Sequence, residues 1–424
     1  MPWPATSALF RAAAAAVILL TLLEGLAETA FARSNVLAQQ VYVWQRAWTE
    51  PVREAVAGAR TNFGGVVVLQ AEVQWAQDQA KAPKIVRVPV NFATLRQLTV
   101  PVGFALRVGP GPVEAADQTG RWLAALGRSL VQEARSNGIT PAELQIDFDC
   151  PESKLAGYSE WITPLRGEIA PVPIVLTVLP AWLKQPAFRA LAAAADGYVL
   201  QVHSLERPQS VNAPFTLCDP VKTGGWVRQA AQLGLPFRVA LPTYSYLLAF
   251  SHEGQFIGLS AEGSSWRWPE GTLQREVGAN AAELAQLIAE WTAQPPAFCT
   301  GVIWYRLPVA GENLNWPWAT LSMVMSGRSP VAWLRLEARR TGTLVEVDWV
   351  NAGTGVCTGA KEVRVRWERA TLLAGDGLHG FALSVTPPHI ARLTNGQARL
   401  RPGERQQIGW LRFDQKTEVE LELE

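Results

Sequence analysis

The chain has 424 residues, 48% of them hydrophobic, with a formal net charge of +1. That length admits two or three domains with a large core, and that composition excludes a disordered chain. Near-neutral charge without a basic cluster offers no surface for a polyanion and argues against nucleic acid as a partner.

The first 32 residues read as an export signal. Arg11 supplies the positive n-region, "AAAAAVILLTLL" (12–23) the apolar h-region and "AFA" (30–32) a small-x-small cleavage site, so the mature chain is expected to begin at Arg33. The apolar run is short for a bilayer span and ends at Glu24. The membrane is engaged, if at all, only by this segment left uncleaved. With no Cys near the cleavage site, lipid attachment there is excluded, and the expected location is periplasmic or secreted.

From residue 41 short β-rich runs alternate with helical ones. The β-rich runs are "VYVWQRAW" (41–48), "GVVVLQAEVQW" (65–75), "VGFALRVG" (102–109), "LQIDFDC" (144–150), "PIVLTVLP" (173–180), "GYVLQVHSL" (197–205), "FRVALPTYSY" (237–246) and "FCTGVIWYRLP" (298–308). Helices are predicted at 121–137, 155–168, 187–195, 221–233 and 280–293, where apolar residues recur every three or four positions. Eight near-continuous apolar strands with helices between them argue for parallel pairing buried on both faces, and predict a (β/α)8 barrel over 33–328. An open doubly wound sheet is the alternative, but "QRAWTE" after the first strand is no Gly-rich phosphate loop.

A closing helix is expected at 312–326, and "SGRSP" (326–330) marks a boundary. Beyond it, "LVEVDWVNAG", "EVRVRWERA", "GFALSV" and "TEVELELE" alternate apolar and polar residues. That period predicts a small antiparallel β-sandwich over 329–424.

In such barrels the site lies at the carboxyl ends of the strands. The first run ends in Gln45, Arg46 and Trp48; the second carries Glu72 and Trp75, and the third Arg107. The fourth holds Asp147 and Asp149, followed by Glu152. The sixth ends in His203, the seventh in Tyr244 and the eighth in Trp304, Tyr305 and Arg306. Asp147 and Asp149 are two apart and so share a face. If that face is the lumen, like-charge proximity raises one proton affinity and sets an acid beside a base, the pairing that glycosidic cleavage needs. Each residue also has a structural reading. Asp147 can pair with Arg46, Arg107 or Arg306, Glu152 can cap a helix, Glu72 can be a rim ion-pair partner, and His203 can be a satisfied polar group. Tyr244 and Tyr305 can donate to a substrate oxygen or satisfy their hydroxyls within the fold. Trp304 is either a stacking platform or a core ring, against a background in which 18 Trp outnumber 14 Phe and 6 Tyr. Four His are too few to favour a metal site, and no cofactor is implied. The cysteines Cys150, Cys218, Cys299 and Cys357 read as buried thiols or one bridge, with Cys150–Cys218 the expected pair.

Together, "YVWQRAW", "LQIDFDCPESKLAGYSEWI", "LTVLPAWL", "LQVHSLERP", "LCDP", "VALPTYSY" and "GVIWYRLP" resemble a bacterial family known as domain of unknown function 3142, from about residue 41 to 325. The resemblance implies a glycosidase-like barrel and no assigned activity. A more distant similarity is to family 18, chitinase-type glycoside hydrolases, which carry D-x-D-x-E on the fourth strand and a Trp on the eighth. Asp147 and Asp149 match the aspartates and Trp304 the Trp. Pro151 occupies the Glu position and Glu152 follows one residue later, which would leave Asp149 as the acid.

Two functions are therefore expected in competition. One is an exported glycoside-hydrolase-like protein acting on an envelope or extracellular polysaccharide, with Asp149 or Glu152 as proton donor and Asp147 tuning it. In that reading Arg46, Glu72, His203, Tyr244, Trp304, Tyr305 and Arg306 contact substrate. The other is a non-catalytic carbohydrate-binding barrel of the envelope. A structural envelope protein is the weaker third.

Overall fold

The computed structural model describes residues 37–75, 83–110, 116–204, 206–261 and 268–424. The expected export signal lies outside the described residues.

Eight parallel strands close into a barrel. They are β1 (Ala38–Val43), β2 (Val66–Gln74), β4 (Val102–Val108), β5 (Leu144–Phe148), β6 (Ile174–Val178), β7 (Gly197–Gln201), β8 (Phe237–Pro242) and β12 (Cys299–Tyr305). The pairing order is β1-β12-β8-β7-β6-β5-β4-β2, and β1 also pairs with β2 to complete the ring. One short strand, β3 (Lys84–Arg87), adds antiparallel to the end of β2. Runs such as Val66–Leu69 and Ile174–Val178 are buried throughout because one face fills the lumen and the other meets the helices.

The helices between strands are α1 (Glu50–Asn62), α2 (Phe92–Leu95), α3 (Ala116–Ser136), α4 (Leu155–Ser159), α5 (Ile162–Ile169), α6 (Pro186–Ala194), α7 (Pro220–Ala231), α8 (Ala281–Ala293) and α9 (Trp318–Met325). Local chemistry sets several starts. Asp219 accepts from the amides of Val221 and Lys222 at 2.9 and 3.1 Å, and Pro220 occupies the first helical turn of α7. Asn280 caps α8 in the same way. The helix expected at 155–168 is two, broken at Glu160 and Trp161, and α1 was absent from the sequence reading. Among the described residues no helix is long and apolar enough to cross a membrane.

The run 237–246 was expected to be one strand. It breaks after Pro242, where Thr243 Oγ1 lies 2.7 Å from both the Arg306 carbonyl oxygen and Asn315 Oδ1 and shares its one proton between them. The chain then enters an antiparallel sheet, β10-β9-β11, built from β9 (Ser245–Phe250), β10 (Phe256–Ser260) and β11 (Leu273–Gly278). This insertion was not foreseen because β10 and β11 are half-exposed, and their Gly- and Ser-rich surroundings read as loop.

After α9 come two four-stranded antiparallel sheets. One orders β13 (Leu334–Thr341), β14 (Leu344–Asn351), β19 (Arg405–Phe413) and β16 (Leu372–Gly377). The other orders β17 (Ala382–Thr386), β18 (Ile390–Leu400), β15 (Cys357–Trp367) and β20 (Val419–Leu423). Their facing sides bury one core that includes Val347, Trp349, Val363, Val365, Leu393, Ile408 and Phe413, the arrangement that alternating strands dictate. Arg399 on β18 clamps Glu276 of β11 with bonds of 2.6 and 2.8 Å, tying this domain to the insertion.

The expected Cys150–Cys218 bridge is absent, and all four cysteines are free thiols. Cys150 follows β5 and Cys218 precedes α7, with β6 and β7 standing between their positions in the ring. Burial pushes the Cys150 thiol up to about 12 and the Cys218 thiol to about 11, so both stay protonated.

Candidate active site

The lumen is polar from bottom to top, and strand alternation decides which residues enter it. At the amino end, Glu143 just before β5 meets Arg238 of β8 in two bonds of 2.8 and 2.9 Å, and Arg238 also donates to Gln40 of β1. One layer up, Gln145 donates to Glu143 and accepts from the Tyr42 hydroxyl, both at 2.6 Å. Two residues further along β5 stands Asp147, which accepts from Thr177 Oγ1 at 2.7 Å. Asp149 follows at the mouth, exposed. The carboxylates sit two residues apart, roughly 6.6 Å along the strand.

These residues open into a cavity of 560 Å³ lined by Asp147, Asp149, Arg107 and Thr177 and walled by aromatic rings. The Tyr305 ring lies 5.4 Å from Trp44, 5.5 Å from Tyr244 and 5.6 Å from His203, the last stacked. His203 Nδ1 is 3.2 Å from the Tyr244 hydroxyl, which donates to Tyr246, and Tyr246 in turn bonds Ser204. Leu259, Ser260 and Ala261 close one side, so the inserted sheet forms part of the wall.

Burial raises the proton affinity of Asp147, and the Asp149 and Glu72 charges push the same way; Arg107 and the Thr177 bond oppose this without cancelling it. The folded carboxyl thus holds its proton to higher pH than the unfolded one. Its contribution to stability is full below about pH 3.9 and is lost as pH rises through the folded value. Asp147→Asn keeps an oxygen for Thr177 and removes the charge. Its melting temperature at pH 7 should exceed wild type by about 2 °C, and the gain should vanish near pH 4. Thermal unfolding of both proteins across pH 4–8 checks this, and equal curves at pH 7 would count against a destabilised carboxylate.

His203 is driven the other way. Burial lowers it to about 3, so the imidazole is neutral at ordinary pH. The stability linked to it is complete above the unfolded value of about 6.5 and falls as pH drops toward 3. The C2 proton of His203, assigned with a His203→Gln variant, should therefore show no NMR titration between pH 5 and 8. A midpoint in that window would contradict the buried placement.

Among the expected site residues, Asp147, Asp149, Arg46, His203, Tyr244 and Tyr305 line the cavity. Glu72 is buried beside it and accepts two bonds from Arg46, at 2.8 and 3.0 Å. Three residues are placed elsewhere. Glu152 is exposed on a 3-10 turn, accepts from Gln185 and does not line the cavity. Trp304 is fully buried with its indole N–H on Gln39 Oε1 at 2.9 Å, so it has no face for a ligand. Adjacent strand residues point to opposite sides, and on β12 it is Tyr305 that turns inward. Arg306 is buried against Glu312 at 3.4 Å, outside the cavity. Trp44, Thr177, Tyr246 and Arg207 line the cavity and were missed. Trp44 was readable, because stepping back by two from Arg46 reaches it and then Tyr42. Among the described residues no group of three His, Cys, Asp or Glu is placed to hold a metal.

Fold and site together define a (β/α)8 barrel with a carboxylate pair in an aromatic cavity at its carboxyl end. Residues 114–310 match the family described as Domain of unknown function (DUF3142), so the resemblance carried by the motifs stands over that span. No curated protein matches the chain. Similar solved structures include a chitinase from Chromobacterium violaceum, at 14% identity and TM-score 0.48, covering 69% of this chain and 98% of that one. The Bacillus cereus spore cortex-lytic enzyme SleL is similar at 9% identity and TM-score 0.47, covering 69% and 74%. The family 18 chitinase ChiB of Flavobacterium johnsoniae is similar at 12% identity and TM-score 0.45, covering 68% and 93%.

Proposed function

We propose that this is an exported, glycoside-hydrolase-like protein that binds an envelope or extracellular polysaccharide at the barrel mouth and cleaves it by carboxylate acid/base chemistry. The observation that carries this reading is the pair formed by Asp147 on β5 and Asp149 just past its carboxyl end, both lining one cavity. Asp149, open to the mouth, is the proton donor. Asp147, below it and bonded to Thr177, tunes it and orients a substrate group. Tyr305 offers ring surface to a sugar, with the buried Trp44 ring packed against it at 5.4 Å. Arg46, held by Glu72, borders the same space.

A non-catalytic carbohydrate-binding barrel is the second reading. It is favoured by Glu152, the one carboxylate near the expected acid position, which lies outside the cavity and is engaged by Gln185. A screen of chitin oligomers, peptidoglycan, poly-N-acetylglucosamine and α- and β-glucans separates the two, with product release and Trp fluorescence read together. Cleavage supports the hydrolase, binding without cleavage the second reading, and neither signal removes the carbohydrate assignment.

A further inference from the structure

The cavity carries both signs of charge: Arg46, Arg107 and Arg207 line it together with Asp147, Asp149 and Glu206. On β4, Arg107 stands in register between Glu72 of β2 and Asp147 of β5. Both flanking carboxylates are engaged elsewhere. Glu72 takes the Arg46 guanidinium in two bonds of 2.8 and 3.0 Å, and Asp147 takes the Thr177 hydroxyl at 2.7 Å. Among the described residues no carboxylate lies within ion-pair distance of Arg107, whose side chain is exposed and lines the cavity. Arg207, on the loop after β7, borders the same space and also has no carboxylate partner, while its neighbour Glu206 is held by Lys222 at 2.5 Å. Arg107 acts on Asp147 through its charge but makes no direct ion pair with it, so its N–H donors remain open to the cavity. Elsewhere in this chain, at Arg238, Arg339 and Arg399, carboxylates meet guanidinium groups at 2.6–2.8 Å.

We propose that the cavity selects an acidic oligosaccharide, with Arg107 receiving a carboxylate or sulfate group of the bound sugar and Arg207 reinforcing the field at the rim. The inference rests on the carbohydrate reading above and names its substrate class. A guanidinium fork suits either anion because it presents two parallel N–H donors. Burial keeps Asp147 more protonated than an ordinary Asp, so the carboxyl beside Arg107 supplies less competing negative charge.

The test is binding of four tetrasaccharides to the full chain, followed by quenching of Trp fluorescence. The probes are tetragalacturonate, a sulfated carrageenan tetrasaccharide, cellotetraose and chitotetraose. Wild type should bind one or both acidic probes at least about tenfold more tightly than the neutral ones at low salt, with the gap narrowing toward 0.5 M NaCl. Arg107→Ala should abolish the gap by weakening acidic binding at least about tenfold more than neutral binding, and Arg107→Lys should retain part of it. Which acidic probe is preferred distinguishes carboxylate from sulfate. Neutral probes bound as tightly as acidic ones, or Arg107→Ala weakening both kinds equally, would overturn the selection while the carbohydrate reading stands. If no probe of either kind binds, the carbohydrate reading falls, and the inference with it.

Discussion

Asp149→Asn is expected to lower glycan turnover by roughly 10²–10⁴-fold while leaving binding and thermal unfolding close to wild type, the range that removal of a positioned acid or base produces. Among the described residues three carboxylates line the cavity: Asp147, Asp149 and Glu206. Glu206 is committed to Lys222 and sits on a loop. Asp147 is below the mouth and bonded to Thr177, where a leaving oxygen has less room to approach. Asp149 alone is exposed to the space on the strand that carries the pair. Amide replacement keeps its size and its ability to accept one hydrogen bond but removes proton transfer, so binding and chemistry separate. Glu206→Gln is the matching control and should keep full turnover. If Glu206→Gln abolishes turnover and Asp149→Asn spares it, the acid lies on the loop and the strand pair is structural.

Glu143→Ala should destabilise the protein by about 3 kcal/mol, the lower end of the cost of stripping one partner from a buried ion pair, because this pair is partly buried. Its side chain is 14% exposed and that of Arg238 is 12% exposed. Removing the carboxylate orphans the Arg238 guanidinium, leaves Gln145 without its acceptor and loosens the Tyr42 hydroxyl bonded to Gln145. This plug has no slack: a Cβ on Gly103 would come 2.7 Å from Glu143 Cγ, so even Gly103→Ala must displace it. Replacing both charges, as in Glu143→Leu with Arg238→Met, should recover much of the loss, because two apolar groups need no counter-ion. Denaturant unfolding of the single and double variants decides the matter. A cost below about 1 kcal/mol for Glu143→Ala would show that water reaches the plug.

How far the sequence could be read differs by level. The eight barrel strands were legible because parallel strands buried on both faces leave unbroken apolar runs, as in Val66–Leu69. The β-rich end was legible because strands with one wet face alternate, as in Leu344–Asn351. Strand ends were less so: the first strand stops at Val43, and the apolar Trp44 that continues its pattern already lines the cavity. The inserted sheet escaped because β10 and β11 hold few buried residues, while β9 read as a continuation of β8. The site divides in the same way. Asp147 and Asp149 stood out as carboxylates inside an apolar strand. Between Trp304 and Tyr305, neighbours of similar composition, nothing local said which one faced inward.

Local pattern carried the strand–helix alternation, the change to period-two β structure beyond residue 330 and the two-residue spacing of Asp147 and Asp149. Each follows from local periodicity and from the cost of burying polar groups. Long-range packing made Trp304 core and Tyr305 wall, put Glu152 outside the cavity, brought Tyr246 and Ser260 in on the insertion, and turned Arg107 to the cavity with no ion pair among the described residues. Those outcomes depend on which distant segments meet across the barrel, as Arg46 of the first strand's end meets Glu72 of β2. Such pairing is settled by three-dimensional proximity, which no spacing along the chain encodes.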